Sequence, residues 1–276
     1  MKKITIGIIM TGVLLSGCSS KYGEQITNVN YYPNCYSPIA ELRSAESDVQ
    51  KGTGAGALLG ALAGALVGYA TTGKGYGAVA GAAAGAAVGA VAGYGLSKYK
   101  TESDIQTRLD SYAQAVGADT AEMDTVTASA TQARRCYENA FNNARTDFMD
   151  KRITTQEFDA RYKEIRSGLL EVSNILKDTS VNMTARDKEY RDTLAWEAAQ
   201  RNLPAPDTKV YTLASAQKGK TRTRVTASPD PQLDQMARQT AAFQTSQTSL
   251  EQERTATEKT IDLFDQNAHD LMGLGA

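Results

Sequence analysis

The sequence predicts an all-α protein: a glycine-zipper, transmembrane-type helical hairpin, then a long antiparallel coiled-coil helical bundle, with a small β-hairpin in a linker. Three observations carry this reading. Glycines recur every fourth residue in two consecutive runs between Gly52 and Gly93. Apolar and small residues step 4-3-4-3 through most of the chain after Lys100. Between Pro204 and Pro231 the composition shifts to proline, lysine, arginine and β-branched residues.

The first run is Gly52, Gly56, Gly60, Gly64 and Gly68; the second is Gly73, Gly77, Gly81, Gly85, Gly89 and Gly93. Glycine in a helix interior costs roughly 1 kcal/mol relative to alanine, so these runs need compensation. Residues four apart share a helix face, and a face without side chains lets a second backbone approach closely. In lipid this is the small-xxx-small packing solution. The intervening residues are mainly Ala, Leu, Val and Tyr, and Lys74 is the one charge, in the break. Two apolar helices follow, about 54–70 and 76–96, joined by "TTGKG". At 1.5 Å per residue they reach roughly 25–30 Å, enough for a thin bilayer. Lys51, Lys98 and Lys100 mark where the hairpin leaves lipid; Tyr69, Tyr76, Tyr94 and Tyr99 take interfacial positions. A soluble Ala/Gly hairpin is the competing reading. A flexible linker does not need period four.

The N-terminus names the route to the membrane. Met1-Lys2-Lys3 is a positive n-region, "ITIGIIMTGVLL" an apolar h-region of signal-peptide length. "LSGC", Leu15 to Cys18, is a lipobox. It resembles lipoprotein signal peptides cleaved before a diacylated cysteine. By that resemblance the mature chain starts at Cys18, palmitate or similar chains on its sulfur and amino group, and two or three chains anchor stably. Ser19 and Ser20 follow, and no Asp next to the cysteine implies sorting to the outer membrane. Lipobox plus paired zipper, Met1 to about Lys100, is similar to the bacterial glycine-zipper outer-membrane lipoproteins of the SlyB and rickettsial surface antigen type. Beyond Lys100 the resemblance ends, because those proteins carry a short periplasmic domain and this chain carries a long helical tail.

Six segments result: 1–17 signal peptide; 18–38 lipidated linker; 39–100 zipper hairpin; 101–202 antiparallel coiled-coil hairpin; 203–230 Pro/basic linker with the β-hairpin; 231–276 C-terminal helix. In the tail, Ile105, Leu109, Tyr112 and Val116 open a seam that breaks at Asp119 and resumes at Met123. "MDKRIT" is a turn. Thr154 and Glu157 predict a capping box before a second seam, Phe158 to Leu194, ending near Asn202. In the linker, "TKVYTL" and "TRTRVTA" alternate like strands. Pro231 opens the last helix, whose seam runs Leu233, Met236, Thr240, Phe243, Gln247, Leu250, Arg254, Ile261, Phe264 and Leu271. It is expected to pack on the hairpin as a three-helix coiled coil.

Cys35 and Cys136 are the two thiols left in the mature, exported chain, which suggests a disulfide. Geometry argues back. If the zipper pairs about its turn and continues, Cys35 faces roughly Asp110, about 39 Å of helix from Cys136, and a disulfide needs Cα atoms within about 7 Å. A bridge then requires a bend, near Gly117, or an extended segment before Ile39 running back along the helix.

Catalysis has little support. His269 is the only histidine, and no Ser-His-Asp set, HExxH or CxxC is present. Acidic pairs such as Asp187/Glu189 read as charged helix surface. No enzymatic activity, no metal and no cofactor beyond the covalent lipid is expected. A net charge of −1 implies no attraction to nucleic acid. Lys209, Lys218, Lys220, Arg222 and Arg224, with no acid among them, are candidates for contact with an anionic surface, against a plain solvated hairpin. The expected partners are a lipid bilayer, further copies of the chain, and an envelope protein, peptidoglycan or lipopolysaccharide. The expected role is scaffolding; the alternative is a pore or secretion-accessory component built from oligomerised zippers.

Overall fold

The structure, a computed structural model, describes residues 22, 25–50, 99, 103–211 and 228–273. Cys18, the zipper glycines, and Lys218, Lys220, Arg222 and Arg224 lie outside them. The regular structure of the described part is helical and rests on four long α-helices: α1 (Pro33–Gln50), α2 (Ile105–Met149), α3 (Thr155–Gln200) and α4 (Pro231–Met272). Among the described residues there is no strand, and no helix is long and apolar enough to cross a membrane.

Caps written in the sequence fix the long helices. Asp104 accepts from the Thr107 amide, Thr154 from the Glu157 amide, and Asp230 from the amides of Gln232 and Leu233, with Pro231 in the first turn of α4. The capping box at Thr154 is half made: the Glu157 carboxylate pairs with Arg161 instead. The turn between α2 and α3 puts Lys151 at φ 59, a left-handed residue closing the helix end.

α2, α3 and α4 pack pairwise into one bundle. Phe148 stacks on Phe158 near the turn, and Tyr112 meets Tyr190 edge-on far from it, so α2 and α3 are antiparallel. α4 runs along α2 in the same direction, with Tyr112 on Thr240, Arg134 on Glu253 and Phe141 stacked on Phe264. The apolar seam positions are mostly buried from Tyr112 to Ala144, Phe158 to Leu194, and Leu233 to Phe264, while Tyr162, Gln247 and Arg254 are half-buried. Ile105 is an exception: placed in the seam by its spacing, it is half exposed at the helix end.

Three expectations change. The break at Asp119 does not interrupt α2, because the Asp119 carboxylate accepts from the Tyr190 hydroxyl at 2.5 Å and pairs with Arg186. The described start of the expected β-hairpin, Lys209 to Tyr211, is helical. Asp207 accepts from the amides of Lys209 and Val210, and Tyr211 bonds Asp234 under the Arg238 guanidinium. A capped turn pinned to α4 outweighs a short alternating pattern. Tyr99, expected at a membrane interface, is buried in the bundle.

Candidate functional site

α3 carries Glu164, Gly168 and Glu171, spaced 4 and 3 and so on one face. The chain before and within α1 lies across that face. Residues 25–32, the strap, form no regular element; α1 follows. Glu164 accepts from the backbone amides of Asn30 at 2.9 Å and of Tyr31 and Tyr32 at 2.8 Å. These amides directly precede α1, whose own first turn has no acidic residue. Glu164 therefore places, from another helix, a negative charge at the N-terminal end of α1, where the helix dipole favours it.

One heptad on, Glu171 takes five donors. One oxygen accepts from Tyr36 Oη at 2.8 Å and Arg43 Nε at 2.7 Å; the other accepts from the Ile26 and Thr27 amides and the Thr27 hydroxyl. Arg43 also donates to the Tyr22 carbonyl. Glu171 is 1 % exposed and its partner Arg43 15 %, so the ion pair is removed from water and has its remaining lone pairs filled, as a buried pair requires.

Between the carboxylates, the Tyr137 ring of α2 rests on Gly168. A Cβ there would fall under 3.0 Å from Tyr137 ring atoms, so the ring seats only on glycine. Gly168→Ala is expected to destabilise the fold by about 1–3 kcal/mol through overpacking, read as a lowered urea midpoint with unchanged slope. An unchanged midpoint would contradict the close approach.

Beside Tyr137, Cys136 forms a disulfide with Cys35, Cα–Cα 5.2 Å. The register argument against it does not apply. α2 runs straight through Gly117, and α1 packs along α2 with the strap doubling back before it.

A second set of contacts forms at Tyr99, which is buried. Its hydroxyl donates to Glu197 of α3, which also accepts from Arg108 of α2 and Arg201. Arg201 reaches Asp230, the cap of α4. The Arg108 guanidinium lies beside both Tyr99 and Trp196, 5.8 and 5.5 Å from their ring centroids, and the two rings meet edge-on. Thus Tyr36 and the strap amides precede the zipper, Tyr99 follows it, and both sides are bonded to buried carboxylates of one helix.

The tyrosines at these clasps are held neutral. Burial, then the Glu171 carboxylate, pushes the Tyr36 hydroxyl far above its ordinary value; burial and Glu197 do the same for Tyr99. A folded value above the unfolded one of about 10 gives stability that is complete below about pH 10 and is lost as pH climbs through the raised folded values. Alkaline titration followed at the tyrosinate absorbance should show these rings ionising only as the fold opens. Early titration of every tyrosine with intact helix signal would contradict this.

The same division of the chain appears in its similarity to a known family. Residues 1–97 match the YMGG-like Gly-zipper family model. This glycine-zipper segment ends just before Tyr99, the match suggests membrane association, and the bundle beyond it matches no family. No curated protein and no solved structure matches the chain significantly. Of the residues singled out by sequence, the structure joins Cys35 to Cys136 and leaves Lys209 and His269 exposed. Glu164, Gly168, Glu171 and Glu197 were not singled out. The 4-and-3 spacing of the first three, parallel to the apolar seam, was the available signal.

Proposed function

We propose that this chain is a non-enzymatic outer-membrane lipoprotein, anchored by acyl chains on Cys18. Its Gly-zipper hairpin inserts in the bilayer and oligomerises through its glycine faces. The helical bundle is a periplasmic scaffold that holds both ends of the hairpin, supporting envelope structure or an envelope complex. The observation that carries the scaffold reading is the pair of clasps: Glu164 and Glu171 hold the segment before the Gly-zipper, and Glu197 holds Tyr99 after it. A segment tethered by one end would swing freely; one bonded at both ends transmits the position of the bundle to the hairpin.

The test separates anchor from zipper. Cys18→Ser should abolish labelling by a fatty-acid probe, and persistent labelling removes the anchor. Gly64→Leu and Gly85→Leu add four carbons where helices touch, about 1–3 kcal/mol of overpacking, while making the segment more apolar. They should stay in membranes yet lose oligomers on native gels, with Leu62→Ala and Val88→Ala as milder controls. Oligomers that survive in the leucine variants and vanish in the controls would overturn the packing face.

A further inference from the structure

We propose that the bundle lies side-on against the lipid bilayer, strap face toward the headgroups, instead of projecting end-on. This rests on the acyl anchor at Cys18 proposed above.

The first argument is the length of chain between anchor and bundle. Tyr22 is buried, and its carbonyl is held by the Arg43 that pairs with Glu171. Four residues from Tyr22 to Cys18 span at most about 14 Å. Glu171 lies part-way along α3, about 44 Å of helix from Gln200. The anchor therefore attaches to the flank of the bundle. The zipper's far end attaches elsewhere: Tyr99 is bonded to Glu197, about 39 Å along α3 from Glu171. Even a fully stretched tether leaves the two points on the order of 25 Å apart along the bundle axis. A bundle standing on its end brings only one of them to the bilayer; a bundle lying down brings both.

The second argument is what that flank exposes. α3 holds the strap through Glu164 and Glu171 and holds α4 through Tyr162, Arg166 and Ser180. These two sets lie on opposite faces of the helix, so α4 does not cover the strap. On the strap, Ile26 and Tyr31 are 51 % and 44 % exposed, two of the six large exposed hydrophobics among the described residues. They line an open groove with Asn28 and Lys163, and the Lys163 side chain is 71 % exposed. An aliphatic group, a tyrosine and a lysine beside an acyl tether suit the headgroup region, where aromatic rings settle and ammonium meets lipid phosphate. The strap amides of Ile26, Thr27, Asn30, Tyr31 and Tyr32 are already satisfied by carboxylates, so they bring no orphan donor into a medium poor in water.

The experiment uses the full mature chain, acylated in a bacterial host and reconstituted in phosphatidylethanolamine/phosphatidylglycerol vesicles. Single cysteines replace Ile26, Tyr31, Lys163 or, on α4, Leu263, and each carries a spin label. Cys18 is blocked by acylation and Cys35 and Cys136 by their disulfide. Among the described residues Lys163 pairs with Asp159, one turn away on the same helix, so its variant tests the face without disturbing the strap. The expected result is a shift of the labels at Ile26, Tyr31 and Lys163 toward oxygen and away from a water-soluble nickel chelate, with Leu263 unshifted. Equal nickel access at all four sites in acylated, vesicle-bound protein would overturn the side-on bundle and leave the anchor standing. Labels shielded from both reagents would point to a second copy on this face and overturn it too. Absence of acylation by mass spectrometry would sink the anchor and this proposal together.

Discussion

Glu171→Ala should release the N-terminal segment from the bundle and cost about 3–5 kcal/mol, the penalty for stripping one partner from a buried ion pair. Five donors converge on this carboxylate. Its removal leaves Arg43 and the Tyr36 hydroxyl buried beside an apolar gap, and frees the amides of Ile26 and Thr27. Glu171→Gln keeps the shape and some acceptors but loses the charge, so it should fall between. The measurement is urea unfolding with limited proteolysis of the strap. If Glu171→Ala unfolds at the wild-type midpoint and its strap resists protease, the clasp does not hold the segment.

Breaking the disulfide is the second large effect. Cys35 and Cys136 are separated by 101 positions, and the ring they close contains every zipper glycine. For a loop of that length the chain-entropy model gives about 4.7 kcal/mol, within a usual range of roughly 2–5. The double variant Cys35→Ser, Cys136→Ser should lose that stability while its native strap remains docked by Glu164 and Glu171. The ring also makes a qualitative prediction. A single cut at Lys74 in wild-type protein should leave the two fragments joined on a nonreducing gel and part them after reduction. Separation without reductant would show that the ring is not closed.

Much of the bundle was legible because its signals are local. Seam spacing located α2, α3 and α4, and Thr154 and Pro231 marked helix starts. What failed were sites where distant partners decide. Asp119 looks like a seam break until Tyr190 and Arg186 reach it. Tyr99 has the flanking position of an interfacial tyrosine, but Trp196, Arg108 and Glu197 make it a core residue. "TKVYTL" alternates like a strand, yet Asp207 turns it into a helical start. Glu164 and Glu171 were hidden because an acidic residue on a helix usually faces water. Only the position of the strap and α1, 128 to 145 residues away in sequence, gives them donors. The disulfide was suggested by the count of thiols, while its register depended on α1 packing along α2, which no spacing within either segment encodes.

The central claim is that the bundle grips both sides of the zipper. Amide hydrogen exchange on the acylated protein in vesicles tests it most directly. The amides of Ile26, Thr27, Asn30, Tyr31 and Tyr32 belong to no regular helix, yet each donates to a buried carboxylate. They should exchange as slowly as the flanking turns of α3, and Glu171→Gln should accelerate Ile26 and Thr27 selectively while Tyr31 and Tyr32, held by Glu164, stay slow. Exchange of all five at the rate of an open peptide, with α3 still protected, would contradict the account.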